Sequence, residues 1–298
     1  MKTETADSFI DYRRSQEILI RDHGNRQSES LAGLLTIEIN LTELCNRTCS
    51  FCPRSDSDVY PNRNLMIPDI VIDKIISEIR RLGYNSKVSF SGFGEPILNS
   101  NLVNIVKQFR EECPDIILET NTNGDKLDSD LLNRLYAAGL NSLYWNLYDG
   151  SHQIESIMPI IESSMFPKEN IKIRPHWEGV DNSGLILNNR SGAVTKTIQI
   201  LPLKKGCTYP FYKMFIDWNG NVLSCTNDWL RKFIVGNVLH TPLEEIWNDE
   251  RWHEFRTNLI AKDRSKNSPC NTCDVDGGLY AEESIRQYMA LHEAKTSV

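Results

Sequence analysis

Seven of the eight cysteines fall into two groups, and no other feature constrains the chain as much. Cys45, Cys49 and Cys52 lie on one short stretch directly after an apolar run at 35–40. Cys207, Cys225, Cys270 and Cys273 come from three separate places in the last third of the chain. The first 22 residues mix acidic, basic and polar side chains without an apolar core, so neither a signal peptide nor a membrane span is expected. A cytoplasmic setting follows as the expectation. Clustered thiols there point to a metal or to catalysis rather than to disulfides.

The chain has 298 residues, 40% hydrophobic and 24% charged, enough apolar material for one large domain with a small appendage. The net charge of −7 and the lack of a basic stripe argue against a nucleic-acid partner. Strand-like runs at 35–40, 87–91, 116–120, 142–147 and 171–174 alternate with helical periods at 68–82, 101–112, 128–138 and 152–163. Such alternation predicts βαβ units and a parallel sheet, with a sixth strand at 197–201. From about residue 206 the pattern changes to a hairpin, 213–217 and 221–225, turned by Asn219-Gly220. Helical patterns follow at 242–248 and 250–260, then the C-x2-C pair, then a polar helix from about 281. The expected organisation is an extension at 1–34, an α/β domain at 35–205, a small α+β domain at 206–280 and a terminal helix at 281–298, with residues 1–30 on the surface.

Three thiolates on one loop can hold three irons of a cubane and leave the fourth iron open to a ligand. A zinc site is the other reading, but zinc normally closes a shell of four ligands, and C-x3-C-x2-C is not a usual zinc spacing. Phe51 stands just before the third cysteine. The motif with that aromatic resembles the signature of the radical S-adenosylmethionine (SAM) superfamily. This resemblance implies a partial (β/α)6 barrel with SAM across the C-terminal ends of its strands. Ser91-Gly92-Phe93-Gly94-Glu95-Pro96 resembles the family's G-G-E-P segment, which would place Gly94 and Glu95 at the SAM amino group. Asn121-Thr122-Asn123-Gly124 resembles its T-N-G turn, with Asn123 toward the ribose, and Asn146 is a second ribose or carboxylate candidate. Read without the family, these are ordinary Gly-Pro and Asn-Gly turns.

Four thiols complete a cubane with no open iron, which suits electron transfer. From spacing alone, a four-cysteine zinc site fits them as well. The hairpin Asp217-Trp218-Asn219-Gly220-Asn221-Val222 before Cys225, with Gly236-Asn237-Val238 and Leu243-Glu244-Glu245-Ile246-Trp247 after it, resembles the SPASM/Twitch extension of radical SAM enzymes. Only four cysteines remain for it, so the shorter Twitch form with one auxiliary cluster is expected. The resemblance therefore implies two [4Fe-4S] clusters and SAM as cofactors, and a low-potential donor such as flavodoxin or ferredoxin.

The activity so implied is cleavage of SAM to methionine and a 5′-deoxyadenosyl radical that takes hydrogen from a small polar metabolite. Oxidation of a secondary alcohol in a sugar, aminocyclitol or nucleoside-like substrate leads; epimerisation of a carbohydrate and modification of a ribosomal peptide are the alternatives. Asn189-Arg190-Ser191-Gly192 resembles the family's N-R-x-G segment, which implies a substrate contact for Arg190. A guanidinium is a poor base but a good fork for hydroxyl oxygens. Arg174, His176 and Glu178 follow the fifth strand, and His176 is the candidate proton carrier. Cys113, outside both groups, is expected to be a buried structural thiol, and would be a hydrogen donor only in an epimerase.

Overall fold

The computed structural model describes residues 18, 20, 29–176, 188–194, 200–277 and 281–296. Five parallel strands form the sheet that the alternation predicts: β1 (Thr36–Ile39), β2 (Lys87–Phe90), β3 (Ile117–Thr122), β4 (Ser142–Leu147) and β5 (Ile171–Pro175). They lie side by side in chain order. Helices α1 (Asp69–Leu82), α2 (Leu102–Glu112), α3 (Ser129–Ala137) and α4 (His152–Ser163) make the crossovers. In α1 the isoleucine spacing builds one apolar face: Val71, Ile72, Ile75, Ile76 and Ile79 are buried, and Gly83 ends the helix in a left-handed conformation.

Of the sixth strand expected at 197–201, residues 197–199 lie outside the described residues, and 200–201 are not strand. Among the described residues the sixth parallel strand is β6 (Lys213–Ile216), the first strand of the expected hairpin, which pairs in parallel with β1 at the opposite edge. β7 (Asn221–Leu223) and β8 (Ile234–Asn237) then continue the sheet antiparallel. A single eight-stranded sheet therefore runs through the boundary expected near 206. The physical reason is the central strand: all four residues of β1 are buried, so both of its edges need a partner. Glu38 within it is tied to Lys213 on β6 at 2.5 Å and to Ser91 beyond β2 at 2.7 Å.

After a short helical turn, α5 (Tyr209–Tyr212), the C-terminal part adds α6 (Leu243–Trp247), α7 (Glu250–Ile260) and α8 (Glu282–Thr296). The end of the expected extension belongs to the core: Leu31 and Leu34 are fully buried, and Ser30 and Ala32 carbonyls accept from Asn248 and Trp247. Cys113 is buried in the same apolar cluster, at the C-terminal end of α2. Glu178 falls outside the described residues. Among them, no helix is long and apolar enough to cross a membrane.

Arg256 pins the C-terminal helices. Its fully buried guanidinium lies 4.0 Å from the Trp247 ring, 3.9 Å from Trp252 and 4.3 Å from Tyr288, and it donates to the Pro210 and Trp247 carbonyls. Arg256→Ala removes those bonds and opens a cavity, so we expect a loss of about 3–5 kcal/mol, read as a lower urea midpoint.

Candidate active site

The site is built at the C-terminal ends of β1 to β5, where each strand delivers one loop. The cysteine loop after β1 is clamped by Asn62, whose side chain accepts from Cys45 N at 2.9 Å and donates to Cys45 O at 2.8 Å. Gly94, after β2, passes so close beneath this loop that a Cβ would stand 2.0 Å from the Thr42 carbonyl oxygen. Glu95 N then donates to Leu44 O. The two segments are fixed against each other by main chain.

Glu95 is buried, and its carboxylate accepts from Thr122 Oγ1 at 2.5 Å, Asn123 N at 2.7 Å and Ile97 N at 3.1 Å. It thereby holds the turn after β3 in place. The side chain of Asn123 donates to Asn46 at 2.9 Å and lies 4.0 Å from Cys45 Sγ. Asn146, on β4, donates to Asn121 Oδ1 and Thr122 O, which leaves its Oδ1 facing His176 Nε2 at 2.8 Å. That arrangement makes Nε2 the protonated nitrogen of His176. Phe51 stacks on His176 at 6.3 Å and meets Tyr148 at a tilt, with ring centroids 5.6 Å apart. Phe51, Asn146 and His176 thus form one wall, although they come from three separate segments of the chain.

Several members of the site carried no recognised signal in the sequence. Arg47, inside the cysteine motif, bonds to Asp125 and to Asp149 with paired contacts of 2.6 and 2.6 Å and of 2.9 and 2.8 Å. It fastens the cysteine loop to the ends of β3 and β4. Asn40 accepts from Phe93 N and Gly94 N and donates to Asp217, at the end of β6. A charged residue between two cysteines of the motif was the one available hint for Arg47. The partners of Asn40 become neighbours only in the fold.

Burial pushes the Cys45 and Cys52 thiols up, and Cys49 up to about 11. The charges of Arg54 at Cys45 and Cys52, Arg190 at Cys52 and Arg47 at Cys49 oppose that rise. Cys207, Cys225, Cys270 and Cys273 line one cavity together with Ser191, Asn227 and Arg264. Burial again raises three of these thiols, Cys207 to about 11 and Cys225 and Cys270 well above their ordinary value, with repulsion from neighbouring thiolates adding to the effect. Only a strongly cationic group would keep four such thiolates together. Among the described residues no three His, Cys, Asp or Glu side chains close on a single ion, whereas four thiols ringing a cavity suit the wider corners of a cubane. Arg264 braces this cavity by donating to the carbonyls of Lys205, Gly206, Val275 and Asp276.

Residues 39–165 match the radical SAM superfamily, and residues 207–274 match the SPASM iron–sulfur cluster-binding domain. The chain belongs to the radical SAM superfamily. Its cofactors are SAM and [4Fe-4S] clusters, one for SAM and one auxiliary. This radical SAM enzyme is 26% identical to the S-adenosyl-L-methionine-dependent 2-deoxy-scyllo-inosamine dehydrogenase of Niallia circulans, over 80% of this chain and 92% of the relative. It is 30% identical to the GTP 3′,8-cyclase of Synechococcus elongatus, over 50% of this chain and 46% of the cyclase. Among solved structures, BtrN in complex with AdoMet and 2-DOIA superposes with a TM-score of 0.72 at 25% identity, covering 84% of this chain and 96% of that one.

Burial raises the Glu95 carboxyl to about 7, against the donors from Asn123, Thr122 and Ile97. The unfolded chain releases this proton near the ordinary value of about 4.3. Between those limits the folded state holds a proton that the unfolded state has lost, so stability falls as pH rises, by at most about 1.4 kcal/mol per pH unit. Glu95→Gln has nothing to ionise and should lack that slope. Urea unfolding of both cluster-free proteins between about pH 5 and 7 checks it; parallel pH curves would show that the carboxyl titrates normally.

Proposed function

We propose that this enzyme oxidises a secondary alcohol of a small polar metabolite, of sugar, aminocyclitol or nucleoside-like class, by two electrons. Cys45, Cys49 and Cys52 hold the SAM cluster in this reading, and Cys207, Cys225, Cys270 and Cys273 the auxiliary one. When bound, SAM and its cluster supply a carbon radical able to take hydrogen from an unactivated C–H bond, and the auxiliary cluster accepts an electron. A flavodoxin- or ferredoxin-class donor in the cytoplasm completes the proposal.

The observation that carries it is the position of Arg190 between the two cysteine groups. Its charge acts on Cys52 of the first group. Its Nη1 lies 3.5 Å from Asn227, whose main-chain N–H donates to Cys225 Sγ at 3.2 Å in the second. Its Nε is buried without a protein partner. The backbone around it is fixed: Arg190 and Ser191 adopt φ of 48° and 55°, Asn189 and Asp274 clamp each other, and Thr272 donates to Ser191 O. A fork on so fixed a backbone, beside both cysteine groups, supports the reading that a substrate meets Arg190 there.

A guanidinium does not take up the hydroxyl proton, because it is already fully protonated. It orients the oxygen and stabilises the negative charge left when solvent water takes that proton. Gly94, Glu95, Asn123 and Asn146 serve the SAM side, and Phe51 and His176 wall it. With its Nε2–H engaged by Asn146, His176 acts in this reading through orientation. The similarity to a dehydrogenase along nearly its whole length supports oxidation, and the placement of Cys113 in the apolar core does not favour epimerisation.

The reconstituted enzyme should hold about eight irons per chain. Substrate deuterated at the reacting carbon should pass its label to 5′-deoxyadenosine, and from unlabelled substrate the product should be lighter by the mass of H2. A product of unchanged mass that gains one solvent deuteron would show an epimerase instead. Arg190→Lys should lower product formation by about tenfold or more while SAM cleavage persists, because a point charge cannot replace a planar fork.

A further inference from the structure

Arg54 is a buried cation whose hydrogen-bonding capacity none of the roles above uses. It is 4% exposed and lies under the cysteine loop, two residues past Cys52. Its Nε donates to Phe93 O at 3.0 Å, its Nη1 to Asn62 Oδ1 at 2.9 Å, and its guanidinium lies 5.0 Å from the centre of the Tyr60 ring. Both acceptors are neutral, so neither contact balances the charge. Nη2 is excluded from solvent and has no partner in the protein. A buried N–H of a charged group left in this state is costly, and native structures fill such positions.

The location of this nitrogen narrows what fills it. The Asn62 oxygen that receives Arg54 also receives Cys45 N, so one side chain fixes the guanidinium and the first cysteine together. Cys52 packs against the cluster of Tyr60 and Phe93 that encloses the same guanidinium. A cubane on three thiolates carries net negative charge, which grows on reduction, and hydrogen bonds to its sulfurs help set its potential. We propose that Arg54 is a dedicated hydrogen-bond donor and fixed positive charge for the SAM cluster, present before SAM binds, and that it raises the potential of that cluster. This inference rests on the cluster assignment and is independent of the alcohol-oxidation reading.

Pulsed electron paramagnetic resonance of the reduced wild-type holoenzyme, grown with 15N-arginine, tests the contact without any substitution. The SAM cluster is recognised by the change in its signal when SAM is added. An arginine 15N coupling in the SAM-free state, kept in Arg190→Lys and lost in Arg54→Lys, is expected. No such coupling, or one that appears only after SAM is added, overturns the proposal. Arg54→Met should also make reduction of the SAM cluster about tenfold less favourable, a drop of about 59 mV for one electron, with the auxiliary cluster unchanged. An unchanged potential at full iron content would overturn the tuning role; if Arg54→Met loses iron, the wild-type spectrum and the potential of Arg54→Lys decide.

Discussion

The side chain of Asn40 is the contact on which the two cysteine sites jointly depend. It stands at the end of β1, with Asp217 beside it at the end of the neighbouring parallel strand. One side of its amide receives the main-chain N–H groups of Phe93 and Gly94, and the other donates to Asp217 and Glu43. Arg231 closes the junction by donating to Asp217 at 2.6 Å, Glu43 at 2.5 Å and Tyr60 at 3.0 Å. The turn that lies beneath the first cysteine loop and the hairpin that leads to Cys225 therefore share one buried origin. Groups so placed lose more by losing a partner than they gained in forming the bond, which makes the junction stiff.

Charge is arranged around the thiols with the same economy. Burial disfavours thiolate at both sites, and the arginines that offset it are themselves held by main-chain carbonyls, amides or paired carboxylates. Arg47 is bound by Asp125 and Asp149, Arg264 by four carbonyls, and Arg54 by one carbonyl and one amide oxygen. Arg190 differs in how weakly it is held, by a 3.5 Å contact to Asn227, although like Arg54 it has a buried N–H that no protein atom meets. In the proposed reading that weakly held guanidinium is the one that meets the substrate, whereas the others brace the cysteine loops.

Much of the parallel sheet was legible because its signal is local. The period of α1 and the burial of β4 follow from residues within one window. The sixth strand was not, because β6 follows from the demand of β1 for a second neighbour, and that demand appears only once β1 is known to be central. The cysteine groups were visible as spacings, yet the wall formed by Phe51, Asn146 and His176 needed three strands brought into register.

By itself, the sequence determined the number and grouping of the thiols, the alternation of strands and helices, and the turn chemistry around Gly94 and Asn123, since these depend on covalent spacing and local conformation. Tertiary structure alone decided that the hairpin extends the parallel sheet, that Arg47 reaches two acids after different strands, and that Arg190 lies between the two sites. Those outcomes are set by which distant groups desolvate each other, and desolvation is a property of the packed chain.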